Sequence, residues 1–213
     1  MRYFTSDTHF YHKGIMTYCS RPWADMDAMR IGLIDKWNAV VKPEDDVYVL
    51  GDLCFAGAKV HEALIPALNG RKHLVKGNHD GFPARRYLAW GFVEVIDHST
   101  KLTLSDGREV LLCHYPYISN DDRYPERLPK DEGLMLLHGH VHQAWLYRGR
   151  GLNVGVDVWG YEPVSEEQVI DSLTKLAFNL AEDTPLVDIK PASGYSKEQL
   201  DTMYEFFKKH GSD

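Results

Sequence analysis

The chain has 213 residues, 44% hydrophobic and 26% charged, with a formal net charge of −7. This length buries a core without disulfide support, and the composition excludes a disordered chain. The acidic balance argues against a general nucleic-acid binder, which carries a basic surface.

In chain order, "MRYFTSDTHF" lacks the basic start and apolar stretch of a signal peptide. Its "RYFTS" reads as a short buried strand running into Asp7. "DMDAMRIGLIDKWNAVV" sets Met26, Met29, Leu33, Trp37 and Val40 at helical spacing. "DVYVL" is a strand ending at Gly51-Asp52, and "VHEALIPAL" a helix whose last turn Pro66 disturbs. "KHLVK" is a third strand, ending in Gly77-Asn78-His79-Asp80.

From Val93 the pattern changes. "VEVID", "KLTL" and "REVLL" crowd together with "SDG" as a hairpin turn, which predicts a more antiparallel second half. "EVLLC" runs into His114, and "LMLL" into "HGHVHQ". "AWLYR" and "LNVGV", joined by "GRG", predict another hairpin. "SEEQ" at Ser165 and "SKEQ" at Ser196 are capping boxes that open helices. No run reaches the roughly 18 apolar residues of a membrane span. Cys19, Cys54 and Cys113 are odd in number and scattered, which suits free thiols in the cytoplasm. One domain over 1–213 is expected, with a helical extension from about 182 to 213.

Each strand delivers polar residues at its C-terminal end, where sheets of α/β proteins bind ligands. Together these are Asp7, His9, Asp52, Asn78, His79, His114, His140 and His142. Carboxylate, amide oxygen and imidazole suit Mn²⁺, Fe or Zn²⁺, and the lack of thiolate weighs against a structural zinc site. In a strand, residues two apart share a face, so Asp7 and His9 are expected to point at one ion. His140 and His142 do the same if the backbone after Gly139 stays extended.

"DTH", "GD", "GNHD", a lone His before Tyr115-Pro116 and "GHVH" occur in an order that resembles the calcineurin-like metallophosphoesterases, small prokaryotic and phage members included. The resemblance implies a four-layer α/β/β/α sandwich, two mixed sheets flanked by helices. It implies one metal on Asp7, His9, Asp52 and His142, and another on Asp52, Asn78, His114 and His140, so that Asp52 bridges. His79 would touch no metal and face the leaving group. Two divalent ions follow, Mn²⁺ first and Fe, Zn²⁺ or Ni²⁺ as alternatives. The implied activity is phosphoric ester hydrolysis, as phosphodiesterase or phosphatase, by attack of a metal-bridged hydroxide.

Asp80 follows the proposed acid and either orients His79 or bonds the turn. His12, Arg21, Arg123 and Arg127 are candidate substrate contacts, each with a solvated loop as the plainer alternative. His138 fits no ligand position and reads as strand-end packing or as a hydrogen-bonding support to the ligands. "GDLCFAG" lacks the G-D-x-V-D-R-G arginine of protein phosphatases, and the chain is short and acidic for a repair nuclease. A small nucleotide-type ester is the expected substrate, with no stable nucleic-acid duplex and no membrane as partner, and a monomer or homodimer as the assembly. Two other classes remain. A metallo-β-lactamase-type hydrolase wants H-x-H-x-D-H, which "HGHVHQ" does not supply, and a non-catalytic scaffold on the same fold tends to lose ligands that are present here.

Overall fold

A computed structural model of the protein describes residues 1–118 and 125–181. The expected extension over 182–213, its capping box at Ser196, and Arg123 lie outside the described residues. The first half alternates strand and helix: β1 (Arg2–Thr5), α1 (Lys13–Tyr18), α2 (Met26–Val40), β2 (Asp46–Val49), α3 (Ala58–Ala67), β3 (Arg71–Val75), α4 (Ala84–Trp90) and β4 (Phe92–Ile96). There follow β5 (Ser99–Thr103), β6 (Glu109–Cys113), β7 (Met135–His138), β8 (Tyr147–Arg148), β9 (Gly151–Asn153), β10 (Val164–Ser165) and α5 (Glu166–Ala181).

Two mixed five-stranded sheets, flanked by helices, result. The first has the order β10-β1-β2-β3-β4, with β1 to β4 parallel and β10 antiparallel at the edge. The second has the order β5-β6-β7-β9-β8, parallel across β6, β7 and β9 and antiparallel at both edges. One expectation is corrected here: β4 joins the parallel sheet beside β3 instead of the later half. The second sheet is the more antiparallel of the two, as expected, around a parallel centre. Short apolar runs specify strands but not their partners.

Side-chain alternation explains the layering. In the first sheet, Tyr3, Val47, Val49 and Leu74 face α1–α4 and pack with Met29, Leu33, Trp37 and Ile65. Phe4, Tyr48 and Val75 face the other way, onto Val110, Leu112, Leu137 and Leu152 of the second sheet. Helix α5 adds Val169, Leu173 and Leu176 to that inner cluster. Its start is the predicted capping box, with Gln168 N donating to Ser165 Oγ at 3.3 Å and Ser165 N to Gln168 Oε1 at 2.9 Å. Helix α2 is capped by Asp25, which accepts from Ala28 N at 2.8 Å. Among the described residues no helix is long and apolar enough to cross a membrane.

Parallel β1, β2 and β3 end on one edge of their sheet, and β6 and β7 end beside them across the sandwich. Asp7, Asp52, Asn78, His114 and His140 all lie within three residues past a strand end. The fold thus gathers its polar residues at one rim.

The layering predicts where stability resides. Leu137→Ala, at a fully buried position between the sheets, should cost about 2–5 kcal/mol in urea unfolding. Leu88→Ala, on the exposed face of α4, should change stability by less than about 0.5 kcal/mol. Equal losses would contradict the placement of the core.

Candidate metal centre

The two carboxylates are oriented by backbone. Asp7 Oδ2 accepts from His140 N at 2.9 Å, and Asp52 Oδ1 accepts from His79 N at 2.9 Å. Each therefore keeps one oxygen for the interior of the rim. The motif glycines permit this approach. A Cβ on Gly77 would collide with Asp52 Oδ1, and one on Gly139 with Asp7 Oδ2 and Ser6 Oγ.

Imidazoles close around those free oxygens. His9 Nε2 is 3.9 Å from Asp7 Oδ1 and 3.5 Å from Asp52 Oδ2. Asp7, His9 and His142 each offer a ligand atom within 4.8 Å of the others, and so do Asp7, Asp52 and His114. His114 Nε2 lies 3.1 Å from Asn78 Oδ1, 3.2 Å from His140 Nδ1 and 3.5 Å from Asp52 Oδ2. All seven residues named as ligands from the sequence lie in this one constellation.

The donor set fits cations for a specific reason. His114 Nδ1 donates to Leu50 O at 2.8 Å, so in the neutral ring Nε2 carries a lone pair toward Asn78 Oδ1 and Asp52 Oδ2. Three acceptors then face one another. Asp7 Oδ1 and His9 Nε2 are likewise buried, with no hydrogen-bond partner among the described residues. Burial without a partner costs free energy. A divalent cation among such atoms removes the conflict.

The local backbone is not the one expected. Strand β1 ends before Asp7, and Asp7 and His9 have φ of 57° and 48°; His140 and His142 have 71° and 48°. The pairs converge through left-handed loop conformations, not through the alternation of an extended strand, which corrects both readings. Asp52, at φ 54°, does the same. Each such residue costs about 1–2 kcal/mol.

Arg21 is the second correction. Its side chain is fully buried and clamps Asp157 through Nε at 2.8 Å and Nη2 at 2.9 Å. Nη1 donates to Thr8 O and Nη2 to Asp7 O, both at 2.7 Å. It braces the Asp7–His9 loop from behind and presents nothing to a substrate. Asp157 Oδ2 in turn lies 3.5 Å from His142 Nδ1. Burial alone would raise the Asp157 carboxyl, but the Arg21 guanidinium and His142 hold it down at about 2. Sequence reasoning missed Asp157 because its partners lie far away along the chain. It also missed Asn153, whose amide ties down His142 O at 2.7 Å and Trp145 O at 2.9 Å.

The other candidates sort by position. Asp80 bonds the turn: Oδ2 accepts from Asp52 N at 2.7 Å and Gly77 N at 2.8 Å. Burial, then the neighbouring Asp52, pushes its pKa up to about 6. His12 sits at the rim with Nδ1 3.2 Å from His9 Nδ1. Burial, then His79 and His142, lowers its pKa to about 4. Arg127 donates to Tyr115 Oη at 3.0 Å, and the Tyr115 ring is 4.8 Å from that of His140. His138 is buried, with Nδ1 on Gly139 O at 2.8 Å, as packing requires. Cys19, Cys54 and Cys113 are free and buried, and burial pushes the Cys54 thiol up to about 12.

The Arg21–Asp157 pair makes a prediction. Arg21→Leu leaves a buried carboxylate without its guanidinium and should cost about 3–5 kcal/mol in urea unfolding. Arg85→Leu, on the exposed face of α4, should stay within about 0.5 kcal/mol. A mild Arg21→Leu phenotype would contradict the bracing role.

Comparison with known proteins places the chain in a family. Residues 3–156 match the model of the calcineurin-like phosphoesterase superfamily domain. The uncharacterized protein MJ1445 of Methanocaldococcus jannaschii is 32% identical over 185 residues, covering 81% of this chain and 91% of that protein. The Gene 66 protein of a Mycobacterium phage is 34% identical over 178 residues, 74% of this chain and 88% of its own. A crystal structure of AQ665, a protein of unknown function from Aquifex aeolicus, aligns with a TM-score of 0.65 at 33% identity, covering 81% of this chain and 98% of that one. The chain belongs to the calcineurin-like phosphoesterase superfamily, a family of generally metal-dependent phosphoesterases.

Proposed function

We propose that the protein is a dinuclear metal-dependent phosphoesterase acting on a small, nucleotide-type phosphate ester, with Asp52 shared by both cations and His79 as general acid. One atom carries the reading. Asp52 Oδ2 lies 3.5 Å from both His9 Nε2 and His114 Nε2, and these nitrogens belong to different donor groups. One group is Asp7, His9 and His142; the other is Asn78, His114 and His140. A single carboxylate oxygen facing both groups is what a bridging ligand requires.

Bound divalent ions supply a water nucleophile at neutral pH and positive charge to clamp a phosphoryl group. The chain's residues do the rest. Asp7, His9, Asp52 and His142 would hold one ion, and Asp52, Asn78, His114 and His140 the other. Asn78 provides oxygen without negative charge, which leaves the loaded centre attractive to an anion. Mn²⁺ suits this oxygen and imidazole set, with Fe, Zn²⁺ or Ni²⁺ as alternatives.

His79 Nε2 lies 3.9 Å from Asp52 Oδ2, and its side chain is 35% exposed. It reaches the centre and solvent together, on a backbone anchored to Asp52 Oδ1. From there it can hold a proton at Nε2 and pass it to a departing oxygen. Asp80 and the Arg21–Asp157 pair hold the frame and touch no substrate. A screen of metal-reconstituted protein against mono- and diesters decides between the two ester classes.

Two variants test the division of labour. Asp52→Asn removes the shared charge, so at least one ion should be lost by metal analysis, and activity should fall on every ester. His79→Asn should retain its metals and lose about 10²–10⁴-fold in turnover on an alkyl or ribose ester. Its loss should be much smaller with nitrophenol, which departs readily as the anion. Equal losses on both substrates, or loss of metal, would remove His79 from the acid role.

A further inference from the structure

We propose that Phe55 is a stacking platform for a planar aromatic leaving group, in a subsite completed by His12 and His79. The proposal rests on the reading of His79 as the residue facing the departing oxygen.

Phe55 breaks the pattern of its segment. Leu53 and Cys54 are buried, as is Phe10 beside them, yet Phe55 is 42% exposed. Leaving part of a large apolar side chain in water forgoes part of its burial energy. A single exposed Phe is ordinary in itself. Its neighbours make this one different. The ring stacks on His12 at 4.6 Å and 29°. It meets His79 edge-on at 5.2 Å and 77°. His12 contacts ligand candidate His9 through Nδ1 at 3.2 Å, so the apolar ring stands directly at the rim of the metal centre.

The platform is held rigidly. Phe55 N donates to Phe10 O at 2.8 Å, and Phe10 N to Leu53 O at 2.9 Å. Phe10 and Cys54 form an isolated bridge. The ring is carried three residues beyond Asp52, on backbone tied to the Asp7–His9 loop through His9 N and Asp52 O at 3.0 Å. A residue so fixed, apolar, exposed and beside the acid addresses what lies past the scissile oxygen. The complementary ligand is flat and π-bearing: a nucleobase or an aryl group. Such stacking is sequence-tolerant, because every base has a π-face.

The test is binding by metal-reconstituted, full-length protein, read by calorimetry with phenyl phosphonate and methyl phosphonate. Wild-type protein should bind the phenyl compound about tenfold more tightly, in line with the alanine-substitution cost of base stacking. Phe55→Ala should abolish that preference, and Phe55→Trp should preserve it. Both variants should unfold near the wild-type temperature, because the ring is exposed. No preference in the wild-type protein, or a preference that survives Phe55→Ala, would overturn the proposal. Hydrolysis of a phenyl ester is scored separately. Preference without turnover keeps the platform and removes the esterase; turnover without preference does the reverse.

Discussion

Asp7 and Asp52 each give one carboxylate oxygen to the backbone N–H of a distant motif, His140 and His79 respectively, and keep the other for the centre. The first half of that arrangement joins the two sheets, since Asp7 follows β1 and His140 follows β7. The second half crowds lone pairs: Asp7 Oδ1, Asp52 Oδ2, Asn78 Oδ1 and the ring nitrogens of His9 and His114. In water these atoms would be hydrated. Here Asp7, His9, Asp52 and His114 are buried and Asn78 half-buried, and the His114 Nδ1 proton is directed away from them, to Leu50 O. Electroneutrality and hydrogen-bond satisfaction both call for cations at this rim.

Much of the surrounding structure serves that constraint. Left-handed backbone at Asp7, His9, Asp52, His140 and His142 turns their side chains into the rim after the strands have ended. The glycines of the motifs clear space against the carboxylates. Arg21 gathers Asp157 and the Asp7 and Thr8 carbonyls on one guanidinium, whose planar fork suits bidentate pairing. Asp157 relays that anchorage to His142. The strain at the rim is offset by the apolar cluster between the sheets, on which the strand ends stand.

The sequence disclosed the centre more fully than its scaffolding. The five motif blocks contain the seven candidate ligands that lie together at the rim, because the chemistry of ligation dictates residue type. It did not disclose how they meet. Spacing of two between Asp7 and His9 suggested a strand face, and the left-handed turn that replaces it is only faintly encoded, in the tolerance of Asp and His for positive φ. Arg21 is legible only as a solvated loop residue or a candidate substrate contact, because an arginine's partner cannot be inferred across the chain from Asp157. Helix α4 went unread, although Gly91, in the left-handed conformation after Trp90, is the usual C-terminal signal. Strand β4 is legible as a strand but its neighbour β3 is not, since its pattern carries no address. Phe55 carried no signal at all, for exposure is a tertiary property.

The central claim is that one oxygen of Asp52 serves two cation positions. Anomalous diffraction from crystals of the manganese-reconstituted protein tests it most directly. The account predicts two manganese peaks flanking the Asp52 carboxylate, one beside Asp7, His9 and His142 and the other beside Asn78, His114 and His140. A single peak that leaves either group of ligands without metal, or peaks remote from Asp52, would contradict it.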